Sequence, residues 1–205
     1  MVRRTILLAV ACVLTIGLSL CGCGPAGDQV VDFPDPNLEA AVREALNKAS
    51  GPIYASELAG LVSLSASDRG IQDLSGLEYC TNLSGLSLWG NQISDVSPLA
   101  GLTNLTSLDL ELNQINDTFP LATLANLTHL YLGENQINDI SPLAELANLT
   151  ALLLYTNQIG DISPLVENAW LSEGDAVDLY DNLLSPYSIN IYIPELEARG
   201  VTVYY

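Results

Sequence analysis

Apolar positions recur along this chain with a fixed rhythm. Leu61, Leu83, Leu105, Leu127 and Leu149 stand 22 residues apart, and from Leu83 onward each opens the frame L-x-x-L-x-L-x-x-N-x-I. The aligned polar position is Asn91, Asn113, Asn135 and Asn157, and the aligned isoleucines are Ile93, Ile115, Ile137 and Ile159. Within each frame the last two leucines are two residues apart, as in Leu86 and Leu88 or Leu130 and Leu132. On a strand they share one face while the residues between them take the other.

This period predicts a leucine-rich repeat solenoid of class α/β. Its expected form is a right-handed β/α superhelix with a parallel β-sheet on the concave face. Short helical or irregular turns form the convex side, and helical caps close both ends. A single coil can bury its leucines only against its neighbours, so the core is continuous along the stack. Each asparagine turns the chain out of the strand, and together Asn91, Asn113, Asn135, Asn157 and Asn182 are expected to form an internal ladder on backbone groups left unpaired by the turn. Residues 61–81 read as a degenerate first coil with Arg69 in the asparagine column, and the register slips by three before Asn182.

The flanks read as caps. Asp35 suits an N-cap and Pro36 the first helical position, and Leu38, Ala41, Val42, Ala45 and Leu46 give one apolar stripe. A helix over 36–48 and a short turn over 56–60 are expected within an N-terminal cap, residues 30–60. Repeats then occupy 61–182, and a C-terminal cap of one helix and one strand occupies 183–205. The helix opens at Ser185-Pro186, Pro194 is placed to interrupt it, and no further domain is expected.

Residues 1–23 carry Arg3 and Arg4 ahead of an apolar run from Ile6 to Leu20, the layout of an export signal. Leu20-Cys21-Gly22-Cys23 resembles a bacterial lipobox. That resemblance makes Cys23 the lipidated mature N-terminus and residues 24–29 a short tether, with the chain held outside the cytoplasmic membrane; without lipidation it would be secreted. Of the four cysteines only Cys80 lies beyond this segment, in a column of leucines, and it reads as a small core residue.

The formal charge is −18, and loss of Arg3 and Arg4 takes it to −20. Such a balance argues against nucleic acid and favours a neutral or basic partner. The outward columns of the repeats collect large groups with no core to enter: Trp89, Tyr131, Leu153, Tyr155 and Tyr180, interleaved with Asp109, Glu111, Glu134, Asp178 and Asp181, and beside His129. Aromatic anchors in a polar field are the composition of a binding surface. The same aromatics could only stack across strands, or could stack on sugar rings, which leaves a carbohydrate ligand as the second reading. His129 near Asp109 is the lone candidate for acid–base chemistry, and with no nucleophile elbow, phosphate loop or metal spacing no catalytic residue, metal or cofactor is expected. The aspartates Asp95, Asp117, Asp139 and Asp161 form a convex column one coil apart and read as a solvated edge.

The segment Asn135 to Leu149, N-Q-I-N-D-I-S-P-L-A-E-L-A-N-L, resembles the repeat of the bacterial internalin-type proteins. The resemblance covers 61–182 and implies a surface-exposed module that binds a protein through its concave face. In departure from those proteins, no immunoglobulin-like segment after the repeats and no cell-wall sorting signal are expected.

Overall fold

The computed structural model describes residues 27–168 and 170–205. The expected signal segment, Cys23 and the start of the tether lie outside the described residues. Seven strands form one parallel sheet in chain order: β3 Ser63–Ser65, β4 Gly85–Ser87, β5 Ser107–Asp109, β6 His129–Tyr131, β7 Ala151–Leu153, β8 Ala176–Asp178 and β9 Thr202–Tyr204. Leu64, Leu86, Leu108, Leu130, Leu152, Val177 and Val203 stand side by side at their centres. The expected solenoid and its register are borne out.

Below the sheet, one cluster of buried leucines, isoleucines and valines runs from the N-terminal cap to Val201. Convex returns are mostly short 3-10 helices, opened by Ser-Pro at Ser97–Leu99 and Ser141–Glu145 and by Phe119-Pro120 between them, and among the described residues Ser163–Glu167 (α3) is the α-helical one. The four returns after the first coil are each started by an aspartate. Asp95, Asp117, Asp139 and Asp161 accept the backbone N–H two residues on at 2.8 to 2.9 Å, so the convex acidic column caps turns.

The ladder asparagines, buried from Asn91 to Asn157 and half-buried at Asn182, bond backbone groups at the strand exits. Asn135 Nδ2 donates to the carbonyls of Leu110 (3.0 Å) and Leu132 (3.1 Å), and its Oδ1 accepts from Ile115 N–H at 3.0 Å. Asn91, Asn113, Asn157 and Asn182 repeat the pattern. A second series runs outside: Asn104, Asn126 and Asn148 each donate to a carbonyl of the preceding coil at 2.8 Å. These belong to Asn-Leu-Thr triplets, which therefore recur for a structural reason. The three inserted residues before Asn182 are absorbed by the convex return after α3, where Asp175 Oδ2 accepts from Ser172 N–H at 2.8 Å.

The N-terminal cap contains an antiparallel pair, β1 Val30–Val31 with β2 Ile53–Tyr54, and two helices, α1 Pro36–Ala45 and α2 Ala55–Leu58. The sequence pattern does not reveal two strands of two residues each. Helix α1 stops short of the expected Lys48 because Asn47 turns left-handed at φ 51°. Asp35 caps it, accepting from Asn37 and Leu38 N–H with Oδ1, and reaches the first coil with Oδ2, which accepts from Gln72 and Asp73 N–H. Phe33 lies flat on Gly76, where a Cβ would come within 2.6 Å of the ring. At the other end Ser185 Oγ accepts from Ser188 N–H at 3.1 Å. The expected single helix is a π turn, Ser188–Tyr192, running into α4, Ile193–Ala198. Pro194 has no N–H for the Asn190 carbonyl, so the regular ladder is broken there.

Candidate functional site

Strand alternation places two columns of side chains on the outward face of the sheet. One reads Ser63, Gly85, Ser107, His129, Ala151, Ala176 and Thr202; the other Ser65, Ser87, Asp109, Tyr131, Leu153, Asp178 and Tyr204. A third follows at the strand exit, with Trp89, Glu111, Gly133, Tyr155 and Tyr180. Positions one further on (Leu112, Glu134, Thr156 and Asp181) are held left-handed at φ between 52° and 55°. Glu134 and Asp181 therefore mark the rim of the concave face, set there by a turn rather than by strand alternation.

The face is uneven. Across the first two coils its floor is small, and a shallow cavity of about 350 Å³ is lined by Ser63, Ser65, Gly85, Ser87 and Ser107, with Asp109 and Tyr131 at its C-terminal wall. Asp109 is fixed in that wall. Its Oδ1 accepts from Glu111 N–H at 3.2 Å and its Oδ2 from Ser87 Oγ at 3.1 Å, and Ser87 in turn lies 2.8 Å from Ser67 Oγ. Sequence reasoning did not single out this hollow, although the run of small residues in the first three coils was its signal.

Further along, Tyr155 leans back over Gly133 instead of standing beside Tyr180. A Cβ at Gly133 would fall among the ring atoms of Tyr155, so only glycine admits the ring there. The Tyr155 hydroxyl faces the Glu111 carboxylate two coils away. Burial pushes the tyrosine up to about 12, and the hydrogen bond to Glu111 adds to the rise. Burial also raises the Glu111 carboxyl above its ordinary range; the Tyr155 bond opposes that, and the charges of Asp109, Glu134 and Asp178 reinforce it. Glu111 Oε1 is enclosed with no partner of full hydrogen-bond geometry. Tyr155 and Glu111 thus form part of the floor.

Of the ring-bearing and apolar groups expected on this face, Trp89, Tyr180 and His129 are exposed, and Tyr131 and Leu153 are half-buried side by side; Tyr204, at the end of the second column, is exposed as well. His129 is not paired with Asp109: its Nδ1 lies 2.8 Å from Thr128 Oγ1 and its ring meets Tyr131 edge-on at 6.3 Å. Cys80 is fully buried and burial pushes its thiol up to about 12, the environment of an inert core residue.

A family model for leucine-rich repeats (two copies) matches residues 81–123 and 125–167. An internalin (inlF) of Listeria monocytogenes superposes on 84% of this chain and 56% of its own, at 30% identity and a TM-score of 0.68. The chain is an internalin-like leucine-rich repeat solenoid. A leucine-rich repeat protein of Leptospira interrogans shares the fold at 24% identity and a TM-score of 0.65, over 73% of this chain and 38% of that one. The functional domain of the Listeria protein InlJ does so at 24% and 0.58, over 79% and 42%. This internalin-like chain thus spans about half the length of the first and less than half of the others. No curated protein matches it.

Proposed function

We propose that the chain is a surface-exposed module that binds a protein through the concave face of its sheet. The observation that carries this reading is the set of large outward groups, Trp89, Tyr131, Leu153 and Tyr180, on a sheet whose core lies wholly on the other side. Seven strands about 4.8 Å apart give a face roughly 30 Å long, enough for a standard protein interface. Trp89 and Tyr180 stand near its two ends, and the acidic residues between them would orient a neutral or basic partner.

Residues 1–23 belong to the same proposal as an export signal cleaved at Cys23, which would carry the lipid anchor and hold the repeats outside the membrane. A diacylated N-terminal cysteine in the mass spectrum of the mature chain is the expected result, and an unmodified N-terminus would remove the anchor from the account. For the binding reading, the full chain with a C-terminal affinity tag is used to capture ligands from cell-surface extracts. Capture abolished by protease treatment of the extract and kept after glycosidase treatment is expected. The reverse pattern would transfer the face to a carbohydrate ligand.

A further inference from the structure

The four cations among the described residues all lie away from the middle of the sheet, and all are paired. Arg43 bonds Glu39, Lys48 bonds Glu57, Arg69 bonds Glu44 and Arg199 bonds Glu195, at 2.6 to 2.9 Å. Three of these pairs belong to the caps, and Arg69 ties the first coil to helix α1. The carboxylates of the concave face, Asp109, Glu111, Glu134 and Asp178, are therefore left to one another's company. Glu111 registers their mutual repulsion, since after burial the three neighbouring charges are what hold its carboxyl above the ordinary range.

We propose that the hollow over β3 to β6 receives a basic side chain carried by an extended segment of the partner protein. Asp109 is its counter-ion and the Tyr131 ring its wall. This rests on the reading of the concave face as a protein-binding surface and specifies which chemistry that surface selects. The hollow exists because both outward columns change size along the stack. Ser63, Gly85 and Ser107 give way to His129, and Ser65 and Ser87 give way to Asp109 and Tyr131. A long side chain laid over the serines meets a step at its far end, where a carboxylate and an aromatic face stand together.

Asp109 is built for this position. Its two oxygens are held by neutral donors, Ser87 Oγ and Glu111 N–H, which fix its direction without cancelling its charge. The spare lone pairs of a carboxylate held in this way accept from a guanidinium or ammonium with little reorganisation. A cation beside Tyr131 also gains from the ring's quadrupole. The convex aspartates are oriented as firmly, but none of them lines this hollow, so charge alone does not single out Asp109.

The test is a nuclear magnetic resonance titration of the isotope-labelled full chain with N-acetyl-arginine amide. A parallel titration uses N-acetyl-citrulline amide, which keeps the shape and loses the charge. The expected result is saturable shifts at Ser65, Ser87, Asp109 and Tyr131, with arginine binding about tenfold tighter than citrulline. Asp109→Asn is expected to weaken arginine by about tenfold, and Ser65→Tyr, which fills the hollow from an exposed position, to do the same with Asp109 intact. Equal response to the two probes, no response to arginine, shifts scattered over the convex turns, or an arginine response that survives both substitutions would overturn the proposal. In the capture assay, a partner retained by Asp109→Asn but lost when Trp89, Tyr131 and Tyr180 are replaced would keep the concave face as the binding surface and reject the hollow as its selector.

Discussion

Asn135 illustrates how much of this fold rests on single side chains. It is buried, yet its amide reaches three carbonyls, those of Leu110, Leu132 and Gly133, and accepts from the Ile115 N–H. The Leu110 and Leu132 carbonyls also accept from Asn113 and Asn157, so Asn135→Ala would leave chiefly the Ile115 N–H unpaired in the core, where one such group costs on the order of 1–3 kcal/mol. A loss of about 2 kcal/mol in denaturant unfolding is expected, and a loss below about 1 kcal/mol would mean that water replaces the amide. Glu111 behaves in the opposite sense. Its folded carboxyl titrates above the ordinary value of 4.5, so the neutral form is the one the fold prefers. That preference stabilises the protein below 4.5 and is lost as pH rises through the folded value. Glu111→Gln, which keeps a partner for Tyr155, is therefore expected to raise the melting temperature at neutral pH by roughly 2–4 °C. The gain should vanish in acid, and thermal melts at both pH values check it. The asparagine column was legible in the sequence because a buried polar residue at a fixed step has one physical explanation. The Tyr155–Glu111 contact was not. Alternation assigns a side chain to a face, but which neighbour a long ring leans toward depends on the space that Gly133 leaves.

At the scale of elements, the strands declare themselves through leucine spacing, while the caps depend on contacts that no local pattern carries. Asp35 was readable as an N-cap; its second grip, on Gln72 and Asp73 N–H, needs the first coil to be folded beside it. Burial works against its ionised form, but four backbone N–H bonds outweigh that and lower the carboxyl below its ordinary 3.8. The stability this contributes is present above 3.8 and lost as pH falls through the lower folded value. Asp35→Ala is expected to destabilise the protein by about 2 kcal/mol near neutral pH, with the gap from the native chain closing in strong acid. Hydrogen exchange should show the loss first in α1 and β3. Uniform loss along all seven strands would instead mean that cap and solenoid unfold as one unit. The same dependence on context explains the C-terminal cap. The position of Pro194 foretold an interruption, but the π turn that results is settled by packing around Ile193 and Leu196.

Taken as a molecule, the chain is a one-dimensional stack whose core and ladders look inward and whose variable residues look outward from the sheet. Repetition made the fold readable, because every coil states the same constraint again. The outward columns obey no repeat, so the sequence shows where a ligand could lie but leaves its relief to the structure: a small-floored hollow at one end, a tyrosine laid down in the middle, and Trp89 and Tyr180 standing free. The central claim is that this face binds a protein, and it is tested most directly by capture with two forms of the full tagged chain. One is native; the other carries Trp89→Ser, Tyr131→Ser and Tyr180→Ser, leaving Tyr155 and Glu111 in place, with its melting curve checked against the native one. The account predicts a protein retained by the native chain and lost by a folded triple variant. Equal retention by both would contradict it and place recognition away from the concave face.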